Sequence, residues 1–108
     1  MKYMLILPLL ALSACVEVDK CADTPYARGV LYATTKQHIL RSLVSPSTAS
    51  FQPLGGRNGA TIAHLKQCVF MIDMYVDSQN RMGGTVRTRL TYKVTHDPER
   101  NFYFFNRR

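Results

Sequence analysis

The side chains with most chemistry to offer are three cysteines, Cys15, Cys21 and Cys68, and three histidines, His38, His64 and His96. A zinc or iron site wants such ligands in close pairs, about two to five residues apart, so that one turn or helix face presents both to the ion. The histidines stand far apart along the chain, so neither a metal nor another cofactor is expected. Serine, histidine and aspartate are all present, but no nucleophile elbow and no helical HExxH occurs. A chain of 108 residues also leaves little room for a pocket that excludes water, so an enzyme is not expected and no small-molecule substrate is evident. Gly55-Gly56-Arg57-Asn58-Gly59 lacks the spacing, the lysine-threonine pair and the following helix of a phosphate-binding loop, and reads as a turn. What remains is ionic. With Lys2 set aside, thirteen Lys and Arg face seven Asp and Glu, and the excess collects at Arg81, Arg87, Arg89, Lys93, Arg107 and Arg108.

The setting of Cys15 bears on where this charge acts. Lys2 makes a basic start, Leu5 to Leu12 are apolar apart from Pro8, and Ser13 and Ala14 are the small residues a signal peptidase requires. The apolar run falls well short of the roughly 20 residues needed to cross a bilayer. Leu12-Ser13-Ala14-Cys15 resembles the bacterial lipobox, in which the lipoprotein signal peptidase cuts before a cysteine whose sulfur already carries a diacylglyceryl group. The resemblance implies a signal peptide over 1–14, lipidation of Cys15 and a membrane anchor whose acyl chains contribute about 0.8 kcal/mol per buried methylene. With Val16 rather than aspartate after the cysteine, it implies the outer membrane, facing the periplasm or exposed at the surface. An exported chain meets an oxidising compartment, so once Cys15 carries lipid, Cys21 and Cys68 are expected to form a disulfide, two free thiols being the alternative. Closing so long a loop stabilises by about 4 kcal/mol. Export also argues against nucleic acid as the partner of the basic residues.

The elements that must position these groups follow from periodicity. Residues 15–23 are short and polar and read as an acylated tether; 24–108 read as a single domain. Thr24-Pro25 starts a helix, with the hydroxyl as cap and proline where it forfeits no bond. It is expected to run to about Val44 and to bury Tyr26, Val30, Ala33, Leu40 and Val44, widened by Tyr32, Ile39 and Leu43, leaving His38 on the polar face. Ser45-Pro46 ends it. Residues 47–60 are rich in Ser, Gly and Pro and read as loop, with a short strand starting near Phe51. From Leu65 the period becomes two, and Cys68, Phe70, Ile72, Met74 and Val76 form the buried side of a strand. Val86, Thr88, Leu90, Tyr92 and Val94 alternate with basic residues in an antiparallel partner, and Phe102-Tyr103-Phe104-Phe105 follows the turn at 96–101. The expected fold is α+β, one N-terminal helix on a three- or four-stranded antiparallel meander.

Two pieces, Ser45-Pro46-Ser47-Thr48-Ala49-Ser50-Phe51 after a helix and Tyr75-Val76-Asp77-Ser78-Gln79-Asn80 through Gly83 to Val86-Arg87-Thr88, resemble a small domain recurring in uncharacterised bacterial and phage proteins. The resemblance implies a fold and no reaction, and Met82 departs from it where an aromatic is common. Physically the second piece reads as a hairpin lock. Asp77 and Asn80 are suited to bonding loop N–H groups, Gly83 and Gly84 permit positive φ, and Arg87 lies within reach of Asp77. The function expected is that of a lipid-anchored binding module with an envelope protein as partner, using Arg87, Arg89, Lys93, Phe102 and Tyr103. It would serve as an accessory of an envelope assembly or as a blocker of a surface receptor, by analogy with phage lipoproteins that exclude further infection. The alternative is an inhibitor or modifier of a cell-wall enzyme.

Overall fold

The computed structural model describes residues 19–108. The stretch 1–14 read as a signal peptide, and Cys15, lie outside the described residues.

Helix α1 spans Pro25–Leu40, with the Thr24 hydroxyl accepting the Ala27 N–H at 3.1 Å and Pro25 in the first turn. It stops four residues earlier than periodicity predicts. Ser42 donates both its N–H and its hydroxyl to the Ile39 carbonyl, each at 2.9 Å, so the chain tightens into a turn before Pro46. The buried stripe also differs, being Ala27, Leu31, Thr35 and Ile39, while Tyr26, Ala33 and Val44 are exposed. Thr35 is what hides this register in the sequence. Its hydroxyl donates to the Leu31 carbonyl at 2.7 Å, so a polar residue enters the core with its group already satisfied.

A 3-10 turn over Pro46–Thr48 leads into the strands, which are β1 (Ser50–Phe51), β2 (Thr61–Lys66), β3 (Val69–Gln79), β4 (Thr85–Asp97) and β5 (Phe102–Arg107). All pair antiparallel in one five-stranded sheet. The α+β class and the antiparallel run of β3, β4 and β5 match the sequence reading, while β2 is a strand it does not contain, and the count of five exceeds the three or four expected. The sheet is nevertheless only four strands wide, because β1 and β2 share one edge of β3. Ser50 and Phe51 pair with Asp77 and Val76, and Thr61 to Lys66 pair with the stretch from Asp73 back to Val69. The interruption has a local cause. Gln52 replaces a strand residue with its side chain, accepting the Tyr75 N–H at 2.6 Å through Oε1 and donating to the Asn58 carbonyl at 2.8 Å through Nε2. The glycine-rich loop then closes on itself, with Ala60 donating to the Pro53 carbonyl at 2.8 Å. A Cβ on Gly59 would stand 1.6 Å from the Gly55 carbonyl oxygen, so only glycine fits there.

One sheet face packs on α1 through Phe70, Ile72, Met74, Val76, Leu90, Tyr92 and Val94. His38 belongs to this layer rather than to the polar face, stacked on Phe105 at 4.2 Å and edge-on to Tyr92 at 5.4 Å. Burial, with Arg41 adding repulsion, holds its imidazole below the usual pKa. The folded chain therefore disfavours the proton that the unfolded chain accepts below about pH 6.5. Stability is intact above that value and falls as the pH drops through it toward the lower folded-state value. The melting midpoint is expected to fall between about pH 7.5 and pH 5, and to fall less in His38→Phe. An equal fall in both proteins would show that His38 is not the group responsible.

Candidate binding surface

Among the described residues no helix covers the opposite face of the sheet. There β3 presents Met71, Asp73, Tyr75 and Asp77, β4 presents Arg87, Arg89, Thr91 and Lys93, and β5 presents Phe102, Phe104 and Asn106. Register decides which charges meet. Asp77 lies opposite Arg87, and the two form a bidentate pair with Nε–Oδ1 at 2.8 Å and Nη2–Oδ2 at 2.9 Å. The guanidinium also sits over the Tyr75 ring, 3.9 Å from its centre. Arg87 hydrogen bonds hold the Asp77 carboxyl below its usual range, and the same bonds raise the pKa of Arg87. Asp73 takes Arg89 more loosely at 3.4 Å and also accepts the Thr91 hydroxyl at 3.2 Å. Lys93 lies between Met71 and Asn106, and among the described residues no carboxylate pairs with it.

The expected hairpin lock is present in most of its parts. Asn80 Oδ1 accepts the N–H groups of Met82 at 2.9 Å and Gly84 at 3.0 Å, and Gly83 takes φ +85°. Gly84 does not take positive φ, and Asp77 bonds Arg87 instead of the loop. The two sequence pieces that carry the domain resemblance also meet. Ser50 and Phe51 pair with Asp77 and Val76, and the Thr48 hydroxyl accepts the Gln79 N–H at 2.9 Å. Their wording is thus accounted for by one junction, at the end of β3 that leads into the hairpin.

Of the proposed contact residues, Tyr103 is misplaced. Strand alternation turns it to the helix side, against His96 at 4.7 Å, with its hydroxyl buried and without a hydrogen-bond partner among the described residues. Burial raises its pKa, with Tyr26 adding to the effect. Phe104 takes its place on the open face, 48% exposed, with its ring edge-on to Phe102 at 4.8 Å. The same period of two, continued through 102–105, is the signal that could have found it. Gln52 had no such signal, because its partners come from β3 and the glycine loop.

At the other end of this face the chain enters the fold. Cys21 and Cys68 form a disulfide, the pairing expected from the oxidising address. Around it Cys68 donates its N–H to the Cys21 carbonyl at 3.2 Å, and His96 donates its own to the Cys68 carbonyl at 2.8 Å. Cys68 has φ +68°, a left-handed conformation at the two-residue turn between β2 and β3 that favours glycine and is held here by these bonds. The His96 ring is buried, with Nδ1 3.6 Å from the Cys21 sulfur and Nε2 3.3 Å from Asn101 Oδ1. It lies inside β4, not in the turn where sequence placed it. No cluster of three His, Cys, Asp or Glu suited to a metal occurs among the described residues. Comparison of the chain with models of known families, with curated proteins and with solved structures finds no match.

Proposed function

We propose that this chain is a lipid-anchored module of the bacterial envelope that acts by binding another envelope protein, not by catalysis. The observation that carries the reading is the division of the three cysteines. Cys21 and Cys68 are bonded to each other beside the point where the chain enters the fold. The third, Cys15, ends the lipobox-like Leu12-Ser13-Ala14-Cys15 only a few residues upstream. A fold fastened that close to its anchor has a defined end toward the membrane and a face free for a partner. Arg89 and Lys93 are the cations this face offers, since Arg87 is taken by Asp77 and Tyr75. Such a module serves as an accessory of an envelope assembly or as a blocker of a surface receptor.

The test is made on the protein purified from envelopes. Mass spectrometry is expected to find residue 15 at the mature N-terminus with diacylglyceryl and fatty acyl mass added, and crosslinking in whole envelopes is expected to capture a protein. Capture should drop in Arg89→Ala/Lys93→Ala with the melt unchanged. A bare thiol at Cys15 would overturn the anchor, and undiminished capture would overturn the surface.

A further inference from the structure

We propose that the end of the sheet where the chain enters is a lipid-docking surface, with Phe102 and Phe104 set into the boundary between headgroups and acyl chains. This rests on the reading that Cys15 is acylated. Position supplies the first argument. Beyond the disulfide, Lys20 Nζ donates to Asn101 Oδ1 at 2.9 Å and His64 Nε2 stands 3.2 Å from the Cys21 carbonyl. These contacts fix residues 19–21 against both turns of this end, the one between β2 and β3 and the one between β4 and β5.

Length supplies the second. Val16, Glu17 and Val18 are the only residues between Cys15 and Asp19, so Asp19 stands at most about 14 Å from the lipid-bearing residue. The tip of the hairpin between β3 and β4 lies at the far end of an eleven-residue strand, roughly 30 Å further away. The tether therefore keeps the entrance end at the bilayer in every orientation, and the hairpin tip stands away from it when the sheet is upright.

Composition supplies the third. Leu65, Phe102 and Phe104 are 50%, 51% and 48% exposed at this end, and Lys66 and Arg100 flank them. The charges at this end are of both signs. Asp97 lies 3.8 Å from Arg100 and takes up that cation, while Asp19, which accepts the Cys21 N–H at 2.9 Å, and Glu99 balance Lys20 and Lys66. Half-exposed aromatic rings rimmed by charges of both signs suit the boundary between acyl chains and headgroups, with burial of the rings as the main attraction. Two half-exposed rings bind a bilayer weakly when the protein is free in solution. A short tether makes the encounter intramolecular and raises the effective concentration of lipid, so a weak contact becomes a populated one.

The chain contains no tryptophan, which makes a single introduced one a clean reporter. Acylated protein carrying Phe104→Trp, and separately Met82→Trp at the hairpin tip, is placed on vesicles of phosphatidylethanolamine and phosphatidylglycerol with brominated acyl chains. Thermal melts establish that both variants fold. Emission from position 104 is expected to shift to the blue and to be quenched by bromine, and emission from position 82 to do neither. Acylated, vesicle-bound protein whose position 104 is unquenched would overturn the docking and leave the anchor standing. A blue shift without quenching would do the same in favour of a protein contact or a second copy of this chain. A Cys15 found without acyl chains would overturn both readings.

Discussion

Replacing Cys21 and Cys68 together with alanine is expected to destabilise the fold by about 4 kcal/mol and to lower the melting midpoint by about 20 °C. The magnitude follows from the 47-residue separation that the bridge closes. In the unfolded chain that closure removes entropy, and in the folded chain it holds the entrance segment on the two turns. The helix cap is untouched, since Thr24 bonds Ala27 within its own turn. The loss should therefore appear in the melt while the far-ultraviolet spectrum of the folded variant keeps its helix and strands. A midpoint that stayed within a few degrees would show that the bridge contributes little beyond the contacts around it. The effect bears on function through geometry. Without the bridge, the entrance is held by hydrogen bonds to Cys68, Asn101 and His64 alone, and the body gains reach from the membrane.

Phe70→Ala is expected to cost about 3–5 kcal/mol in urea denaturation, with little change in the dependence on denaturant. Phe70 is 1% exposed at the centre of the layer beneath α1, paired across strands with Val94 and His64, and its ring lies 4.8 Å from that of His64. Removing it leaves a cavity that paired neighbours on both sides cannot fill. Phe104→Ala is the matched control, because that ring stands on the open face and its loss should change stability by less than about 1 kcal/mol. Similar losses at both positions would sink the division of the sheet into a packed and an open face. The contrast matters for the lipid-docking proposal, which needs Phe104 to be dispensable for folding.

Both faces of β3 and β4 were legible in the sequence because alternation is a local property, repeated over 11 and 13 residues. The start of the helix was equally legible, since Thr24 and Pro25 act on backbone groups within one turn. Its end and its buried stripe were not. Ser42 closes the helix by bonding Ile39, and Thr35 enters the core because its hydroxyl bonds Leu31, and neither polar residue raises an apolar signal. β2 was missed for a related reason. It is an edge strand whose outward residues Thr61, Ala63 and Leu65 are exposed, and His64 breaks the apolar side of its alternation. Within the binding surface, Arg87 and Asp77 could be read as partners from their place on two strands of one hairpin. The inward turn of Tyr103 and the pairing of Phe102 with Phe104 follow from the same alternation continued through β5.

Local patterning suffices for the helix start, the strand periods, the cationic excess and a count of three cysteines, one more than a single bridge uses. Each of these depends on residues close together in the chain or on a count. It took the assembled sheet to establish that β1 and β2 divide one edge of β3, that Gln52 joins β3 to the glycine loop, and that the exposed rings of β5 stand beside the point of entry. Those outcomes come from register between segments dozens of residues apart, where the free energy of a pairing depends on every strand in the sheet at once.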